Sequence, residues 1–527
     1  MNTATRFHPR LSVPAASAIV ACALFTTALL QSRHSAAGPL VIYLVDTLRP
    51  DRMSLYGAER ETSPAAAMLA SESVAYRNAF AVSTWTRSSV ATLLTSQLPA
   101  RAGALNRWGR LDDQVWYLPE EFRRKGWTTA FFVANGNVFD ERLGFQRGVD
   151  LFRPIVHRTG TAPVEPDLEW HATAREVVDE AVAFLEHQES SRFFLYVHVV
   201  DPHAPYVLES PSRSLFASAP AGDSNVPVDY DRSVQQADSQ FGRIVDALQR
   251  KHFWTGATVV YTSDHGEEFE EHGRTGHGHD LYDEQLRVPL IIRYPDGYGR
   301  GSTRSDPVTL ADVAPTIARL YGLKSSSDWI GSSLWNAVQP AGRTLYFTED
   351  LDDNRLYGLR RGDSKIVVRL YPTFSQALYS TATDPAEHFA EALTCGASFR
   401  ESAMAAALAA WRRRDVASFP SVRFEDRDGR QCQAVVDLSG ISKPFLTADD
   451  HCRWAGEVGG NRLSVPIEED GQSTALDVSG DDRGRLPRFQ IVSAPQSCTV
   501  VSRESHLLDG PPSEEHLQQL RSLGYLK

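Results

Sequence analysis

The sequence predicts an α/β fold: a mostly parallel central sheet flanked by helices, with a small β-rich module at the C-terminus. Three observations carry this. Short apolar, β-branched runs alternate with helix-period segments from Gly38 to about Thr394. Two of those runs, Val41-Ile42-Tyr43-Leu44-Val45 and Val259-Val260-Tyr261-Thr262, end in Asp46 and in Asp264-His265. Beyond about Phe419 the texture changes to short strand-like runs punctuated by Gly429, Gly456, Gly459-Gly460, Gly471 and Gly480. Apolar runs without polar alternation are strands buried on both faces, as in parallel sheets, and parallel strands need helical crossovers between them.

In chain order, Arg6 and Arg10 precede an apolar stretch from Val13 to Leu30, followed by Gln31-Ser32-Arg33-His34-Ser35-Ala36-Ala37. A basic start, an apolar centre and small residues read residues 1–37 as an export signal or an uncleaved membrane anchor. Ile19-Val20-Ala21-Cys22 resembles a lipoprotein cleavage box, but the apolar run continues past Cys22, which favours one longer segment. Strands are expected at Leu40–Val45, Thr128–Val133, Phe193–Val199, Thr258–Thr262, Val288–Arg293 and Thr344–Phe347, and amphipathic helices at Arg175–Glu186 and Ser233–Arg250. These make residues 38–395 the main α/β domain. Residues 420–505 form the accessory module, and residues 511–527 a C-terminal helix that Ser513 would cap.

Over 527 residues, 42% are hydrophobic and 23% charged, an ordinary globular balance with ample core. The formal net charge of −12 speaks against a nucleic-acid partner. Of five cysteines, Cys22 lies in the leader, while Cys395, Cys432, Cys452 and Cys498 all fall in the last third. Four cysteines in an exported chain fit two disulfides, with three connectivities open. No C-x-x-C spacing points to a zinc cluster.

The chemistry gathers at strand ends. Ligands of α/β sheets collect beyond the C-terminal ends of parallel strands, so Asp46 and Asp264-His265 are placed to hold one cation between distant segments. Ser83-Thr84-Trp85-Thr86-Arg87-Ser88-Ser89 precedes the apolar run Val90–Thr95, which puts Thr86 near a helix N-terminus. Free N–H groups there stabilise an anion, including a deprotonated hydroxyl, though the same pattern also serves as an ordinary cap. His203 follows the strand at Phe193–Val199, and Gly276-His277-Gly278-His279 follows Asp264-His265; together they outline a pocket for a charged group.

These residues resemble the sulfatase branch of the alkaline phosphatase superfamily. Val45-Asp46-Thr47-Leu48-Arg49-Pro50-Asp51 looks like its opening metal motif. Thr62-Ser63-Pro64, the Trp85–Thr95 block, Asp201-Pro202-His203, Ser263-Asp264-His265-Gly266-Glu267, His277–Glu284 and Arg287–Ile291 follow in family order, and Leu378-Tyr379 with Asp384-Pro385 and Glu387 resembles a late segment. The resemblance implies the sulfatase-like fold, one or two divalent cations, and hydrolysis of a sulfate or phosphate ester through a covalent intermediate. It places Asp46, Thr86, Asp264 and His265 around the metal and makes Thr86, His203 and His277 catalytic. Asn135, His279 and Arg87 would contact the substrate. Mn, Mg, Ca and Zn all suit such ligands, and one ion is favoured because second-metal histidines are absent.

Three departures shape the functional reading. Sulfatases mature a cysteine or serine in a C/S-x-P-x-R motif, but Ser83-x-Trp85-x-Arg87 lacks the proline. The family nucleophile stands nine residues before the threonine of the Leu-Leu-Thr segment; nine before Thr95 is Thr86, whereas Ser83 is twelve before. Thr47 replaces the second aspartate of the metal motif, and Ala134-Asn135-Gly136-Asn137 stands where Gly-Lys-Trp-His is usual. Threonine nucleophiles are typical of relatives that handle phosphate esters. The expected function is therefore a metal-dependent hydrolase of phosphate or sulfate esters. A sulfatase using Ser83, a phosphotransferase of the same superfamily and a non-catalytic anion-binding homologue are the alternatives. The substrate would be a small anionic ester, on a glycan or a lipid headgroup, met outside the cytoplasm.

Overall fold

The computed structural model describes residues 38–392 apart from 107–108, 156–171, 217–225, 352–353 and 372–374; beyond 392 it describes strands between 421 and 502. The leader at 1–37, the disulfide pairing and the helix at 511–527 lie outside the described residues.

Eight strands build the central sheet: β1 (Leu40–Val45), β2 (Val74–Tyr76), β3 (Thr128–Val133), β4 (Leu151–Pro154), β5 (Phe193–Val199), β6 (Thr258–Thr262), β7 (Leu290–Arg293) and β8 (Ser302–Arg304). Their order is β8-β2-β7-β6-β1-β5-β3-β4. Strands β6, β1, β5, β3 and β4 run parallel, and β7 is antiparallel to both of its neighbours. The expected mostly parallel sheet is present. Strand β7 starts at Leu290 rather than Val288, since Pro289 has no N–H to give a ladder.

Alternate residues of β1 enter different cores, as the period of two requires. Leu40, Ile42 and Leu44 pack with helices α2 (Thr86–Thr95), α3 (Leu118–Arg124) and α6 (Val313–Tyr321). Val41, Tyr43 and Val45 pack with α1 (Pro64–Ser71), α4 (Ala174–Glu186) and α5 (Val228–Arg250). Helix α4 opens on a capping box between Thr173 and Glu176. Helix α5 begins five residues before the expected Ser233, because Asp231 is drawn inward by Arg52 and Arg60 and so sits on the buried face.

The strand expected at Thr344–Phe347 forms, but it opens a second, antiparallel sheet that was not expected from the sequence: β9 (Thr344–Glu349), β10 (Arg355–Arg361), β11 (Ser364–Tyr371), β12 (Ser375–Ser380) and β13 (Glu391–Ala392). Lys365 on β11 is fully buried and pairs with Asp283 at 2.9 Å and Glu387 at 2.7 Å, tying this sheet to the segment after β6. Beyond residue 420 lie two four-stranded antiparallel sheets, one from Ser421–Asp426, Gln431–Asp437, Phe445–Leu446 and Cys498–Ser502, the other from Glu457–Gly459, Arg462–Glu469, Gln472–Asp481 and Arg488–Ser493. No helix among the described residues is long and apolar enough to cross a membrane.

Candidate active site

The parallel register aligns the strand ends. Val45 pairs with Val199, Leu44 with both His198 and Thr262, and Val133 with His198. Residues just past these positions therefore emerge at one edge: Asp46 after β1, Asn135 after β3, Asp264 and His265 after β6. Thr47 takes a left-handed φ of 54°, turning the chain sharply after Asp46. Ser263 then joins the two exits, since its Oγ accepts from Leu48 N at 2.9 Å and donates to the His265 carbonyl at 2.6 Å. Gly266 is required by packing, because a Cβ there would lie 2.0 Å from the Glu284 carbonyl oxygen.

Asp46, Asp264 and His265 are fully buried. Asp46 Oδ2 accepts from Asn135 Nδ2 at 2.5 Å and lies 3.2 Å from His198 Nε2. His265 Nε2 lies 3.8 Å from Asp46 Oδ1, 3.3 Å from Asp264 Oδ2 and 3.2 Å from Thr86 Oγ1. Burial alone would raise Asp46, but the His198 hydrogen bond and the charges of His203 and His265 hold its carboxyl well below the ordinary range. Asp264 is raised by burial and by the neighbouring Asp46 carboxylate. Burial opposes protonation of His265, yet Asp264 and Asp46 outweigh it and raise that ring.

Two buried carboxylates at close quarters are costly unless a positive group joins them. Asp46 Oδ1 and Asp264 Oδ2 are buried without a hydrogen-bond partner, and Asp46, His198 and Asp264 offer ligand atoms within 4.8 Å of one another. A divalent cation fits this donor set of carboxylate oxygens and imidazole. Glu268, His272 and Glu284 are also mutually close, but their atoms are occupied: His272 Nδ1 meets Glu284 Oε1 at 2.7 Å, and Glu268 accepts from His279, Gln285 and the His272 backbone.

Thr86 is the first residue of α2, whose ten residues are all buried. Its Oγ1 also lies 3.4 Å from Asn135 Nδ2. Ser83 is held elsewhere: its Oγ donates to Glu349 Oε2 at 2.8 Å, and both the N–H and hydroxyl of Thr84 reach the same oxygen. His277 continues the imidazole row, its ring centroid 4.3 Å from that of His265 and 5.0 Å from that of His203. Its Nδ1 meets Glu267 Oε1 at 2.9 Å. Burial pushes Glu267 up to about 7, and burial with the adjacent His265 holds His277 well down. Burial and His277 also lower His203.

The structure thus brings Asp46, Thr86, Asn135, His203, Asp264, His265 and His277 together. The side chains of Arg87 and His279 have partners of their own, and His279 Nδ1 also lies 3.2 Å from the His277 carbonyl oxygen. The Arg87 guanidinium reaches the Gly109 carbonyl at 2.9 Å and lies over Trp85, and His279 Nε2 meets Glu268 at 2.8 Å. His198 and Glu267 were given no role from the sequence, although Glu267 closes the Ser263–Glu267 motif. The available signal for His198 was a lone imidazole in an otherwise apolar strand, on the same face as Phe194 and Tyr196.

Comparison with known proteins identifies the family and the fold. The sulfatase family model matches residues 39–323. The chain is 32% identical over 160 residues to the uncharacterized sulfatase YidJ of Escherichia coli, covering 28% of this chain and 31% of that protein. It is 30% identical over 171 residues to an N-acetylglucosamine-6-O-sulfatase of Bacteroides thetaiotaomicron, covering 30% of each. The matches to these two thus span under a third of those relatives. Among solved structures, a phosphonate monoester hydrolase of Agrobacterium radiobacter superposes with a TM-score of 0.60 at 20% identity, over 72% of this chain and 96% of that one. A protein solved with its substrate D-glucosamine-2-N,6-O-disulfate gives 0.61 at 19% identity, over 72% and 98%. Spanning more than half of the sequence, the family match establishes that the chain belongs to the sulfatase family.

Proposed function

We propose that this protein is a metal-dependent hydrolase of phosphate or sulfate esters in which Thr86 is the nucleophile. One observation carries the choice: Thr86 Oγ1 lies against His265 and Asn135 at the carboxylate pair, while the Ser83 hydroxyl is engaged with Glu349. A divalent cation held by Asp46 and Asp264, with imidazole from His265 or His198, would lower the pKa of the Thr86 hydroxyl and neutralise charge on the transferred group.

The chain's own residues supply the rest. Thr86 stands at the N-terminus of α2, where backbone N–H groups favour anionic oxygens. Asn135 orients both Asp46 and Thr86 through its side-chain amide. The Thr86 hydroxyl proton leaves to solvent, its oxygen bonds to phosphorus or sulfur, and the ester oxygen departs with a proton from His203 or His277. Water then cleaves the esterified threonine; an acceptor alcohol in place of water would make the protein a transferase. Relatives named for glycan sulfates support an ester carried on a glycan, and the leader read at residues 1–37 supports action outside the cytoplasm.

The family match favours a second reading, a sulfatase matured at Ser83. Hydrolysis of p-nitrophenyl sulfate, phosphate, phosphodiester and phosphonate esters by wild type, Thr86→Ala and Ser83→Ala separates the two. Phosphoester turnover lost only in Thr86→Ala supports the threonine mechanism. Sulfate turnover that requires Ser83 and survives Thr86→Ala would overturn it.

A further inference from the structure

Resting on that reading, we propose that Glu349, the last residue of β9, is a positioning residue for the Thr86 nucleophile. Its side chain is fully buried. Glu349 Oε2 accepts from Ser83 Oγ at 2.8 Å and from Thr84 N at 2.9 Å, and the Thr84 hydroxyl lies 2.8 Å from it. Oε1 accepts from Asp350 N at 3.0 Å. Burying a carboxyl group is costly unless its oxygens are hydrogen-bonded. Three of the contacts that offset this cost fall on Ser83 and Thr84, the two residues that lead into Trp85 and Thr86. The family match ends at residue 323 and does not reach Glu349.

The held segment is joined stiffly to the nucleophile. Thr348 N donates to the Val82 carbonyl at 2.8 Å, so β9 grips the lead-in by its backbone as well as by the Glu349 side chain. Ser89 Oγ donates to the Ser83 carbonyl at 2.6 Å, and Ser89 N donates to the Trp85 carbonyl at 3.0 Å. Thr86 therefore sits inside a short span closed at Ser83 and at the first turn of α2, and a shift of Ser83 is passed to its Oγ1. The same strand end reaches the loop that carries His277. The Thr84 hydroxyl lies 3.0 Å from the Asp280 carbonyl oxygen. Gly278, at a left-handed φ of 75°, passes so close to Leu351 that a Cβ there would lie 2.5 Å from Leu351 Cδ2. Residues 349–351 thus set the nucleophile and the His277 loop at a fixed separation. Glu349 acts on this geometry through Ser83 and Thr84. A displacement of about 1 Å in a nucleophile costs on the order of 10²-fold in rate.

The test measures attack by Thr86 directly. Full-length protein in excess is mixed with the p-nitrophenyl ester that wild type hydrolyses, and p-nitrophenol release in that single turnover gives a saturating rate and a half-saturating concentration. The variants are Glu349→Ala, Glu349→Gln, Thr84→Val and Thr86→Ala, each with its bound cation and melting temperature measured. Glu349→Ala should lower the saturating rate by about 10²-fold and leave half-saturation and bound cation unchanged, because other residues hold the ester and the metal. Glutamine keeps an acceptor for Ser83 and Thr84, so Glu349→Gln should return to within about tenfold of wild type. A purely structural role would lower the melting temperature and leave the folded, cation-loaded Glu349→Ala protein within about threefold of the wild-type rate, which overturns the assignment. A glutamine variant no faster than alanine overturns it too. If Glu349→Ala does not fold, Thr84→Val decides, since it keeps the side-chain shape and removes the hydroxyl contact. A rate lowered by about fivefold or more at unchanged half-saturation supports the proposal, and an unchanged rate overturns it. Turnover indifferent to Thr86→Ala, or none with any ester, removes the parent reading and this one with it.

Discussion

At the scale of single residues, the central fact is a pair of buried carboxylates of which one is held ionised and the other is pushed toward protonation. Replacing Asp264 with Asn should therefore lower the bound divalent cation, read by elemental analysis of dialysed protein, and reduce turnover by at least about 10²-fold. Thr47 offers the opposite experiment. Its buried Oγ1 has no hydrogen-bond partner, and its left-handed φ of 54° suits Asp better than a β-branched residue. Thr47→Asp should tighten cation binding in calorimetric titration while lowering the melting temperature of the metal-free protein, because it adds a third carboxylate. Asp46, Asp264, His265 and Thr86 were legible in the sequence because each stands at the end of a strongly apolar run or the start of a helix. His198 was not, because it lies inside its strand. Glu267 closes a motif read from the sequence, but its pairing with His277 was not legible, because the chain brings that ring back from ten residues later.

The clamp between the second sheet and the segment after β6 belongs to the scale of elements. Lys365 is buried against Asp283 and Glu387, and Glu387 also accepts from the Asp283 N–H at 2.8 Å. Removing the cation alone strands two buried carboxylates. Lys365→Met should therefore cost about 3–5 kcal/mol in denaturant unfolding, where an exposed lysine pair would cost under about 1 kcal/mol. The long central strands were visible as apolar runs, whereas β2 and β8 have three residues each and no periodicity to detect. The antiparallel hairpins of β10 to β12 were missed for a different reason. Charged residues such as Lys365 point inward there and break the alternation of apolar and polar positions.

At the scale of the whole molecule, stability should depend on pH through His272. Burial alone would lower its pKa, but the hydrogen bond and charge contact with Glu284 raise it above that of an ordinary histidine. The folded protein thus binds this proton more tightly than the unfolded chain. The added stability is complete below an ordinary histidine pKa of about 6.5 and is lost as pH rises through the folded value. His272→Gln should flatten the decline in denaturant midpoint from about pH 6 to pH 9, and an unchanged slope would assign that decline to other groups. The overall α/β layout was readable because alternating strand and helix patterns leave few topologies. The strand order was not, because nothing local marks β7 as reversed.

The aligned strand ends carry one more consequence. Asp46 meets His198 across 152 positions, and the Thr47 amide meets Asp264 across 217. Nothing local holds these groups together, so a growing chain has no cation pocket until the segment around residue 265 has been made and paired. Contacts this remote in sequence form late and slowly. Catalytic competence should then appear in a single step late in refolding, together with the last parallel pairing, and truncated chains ending before β6 should be inert however well their first half folds.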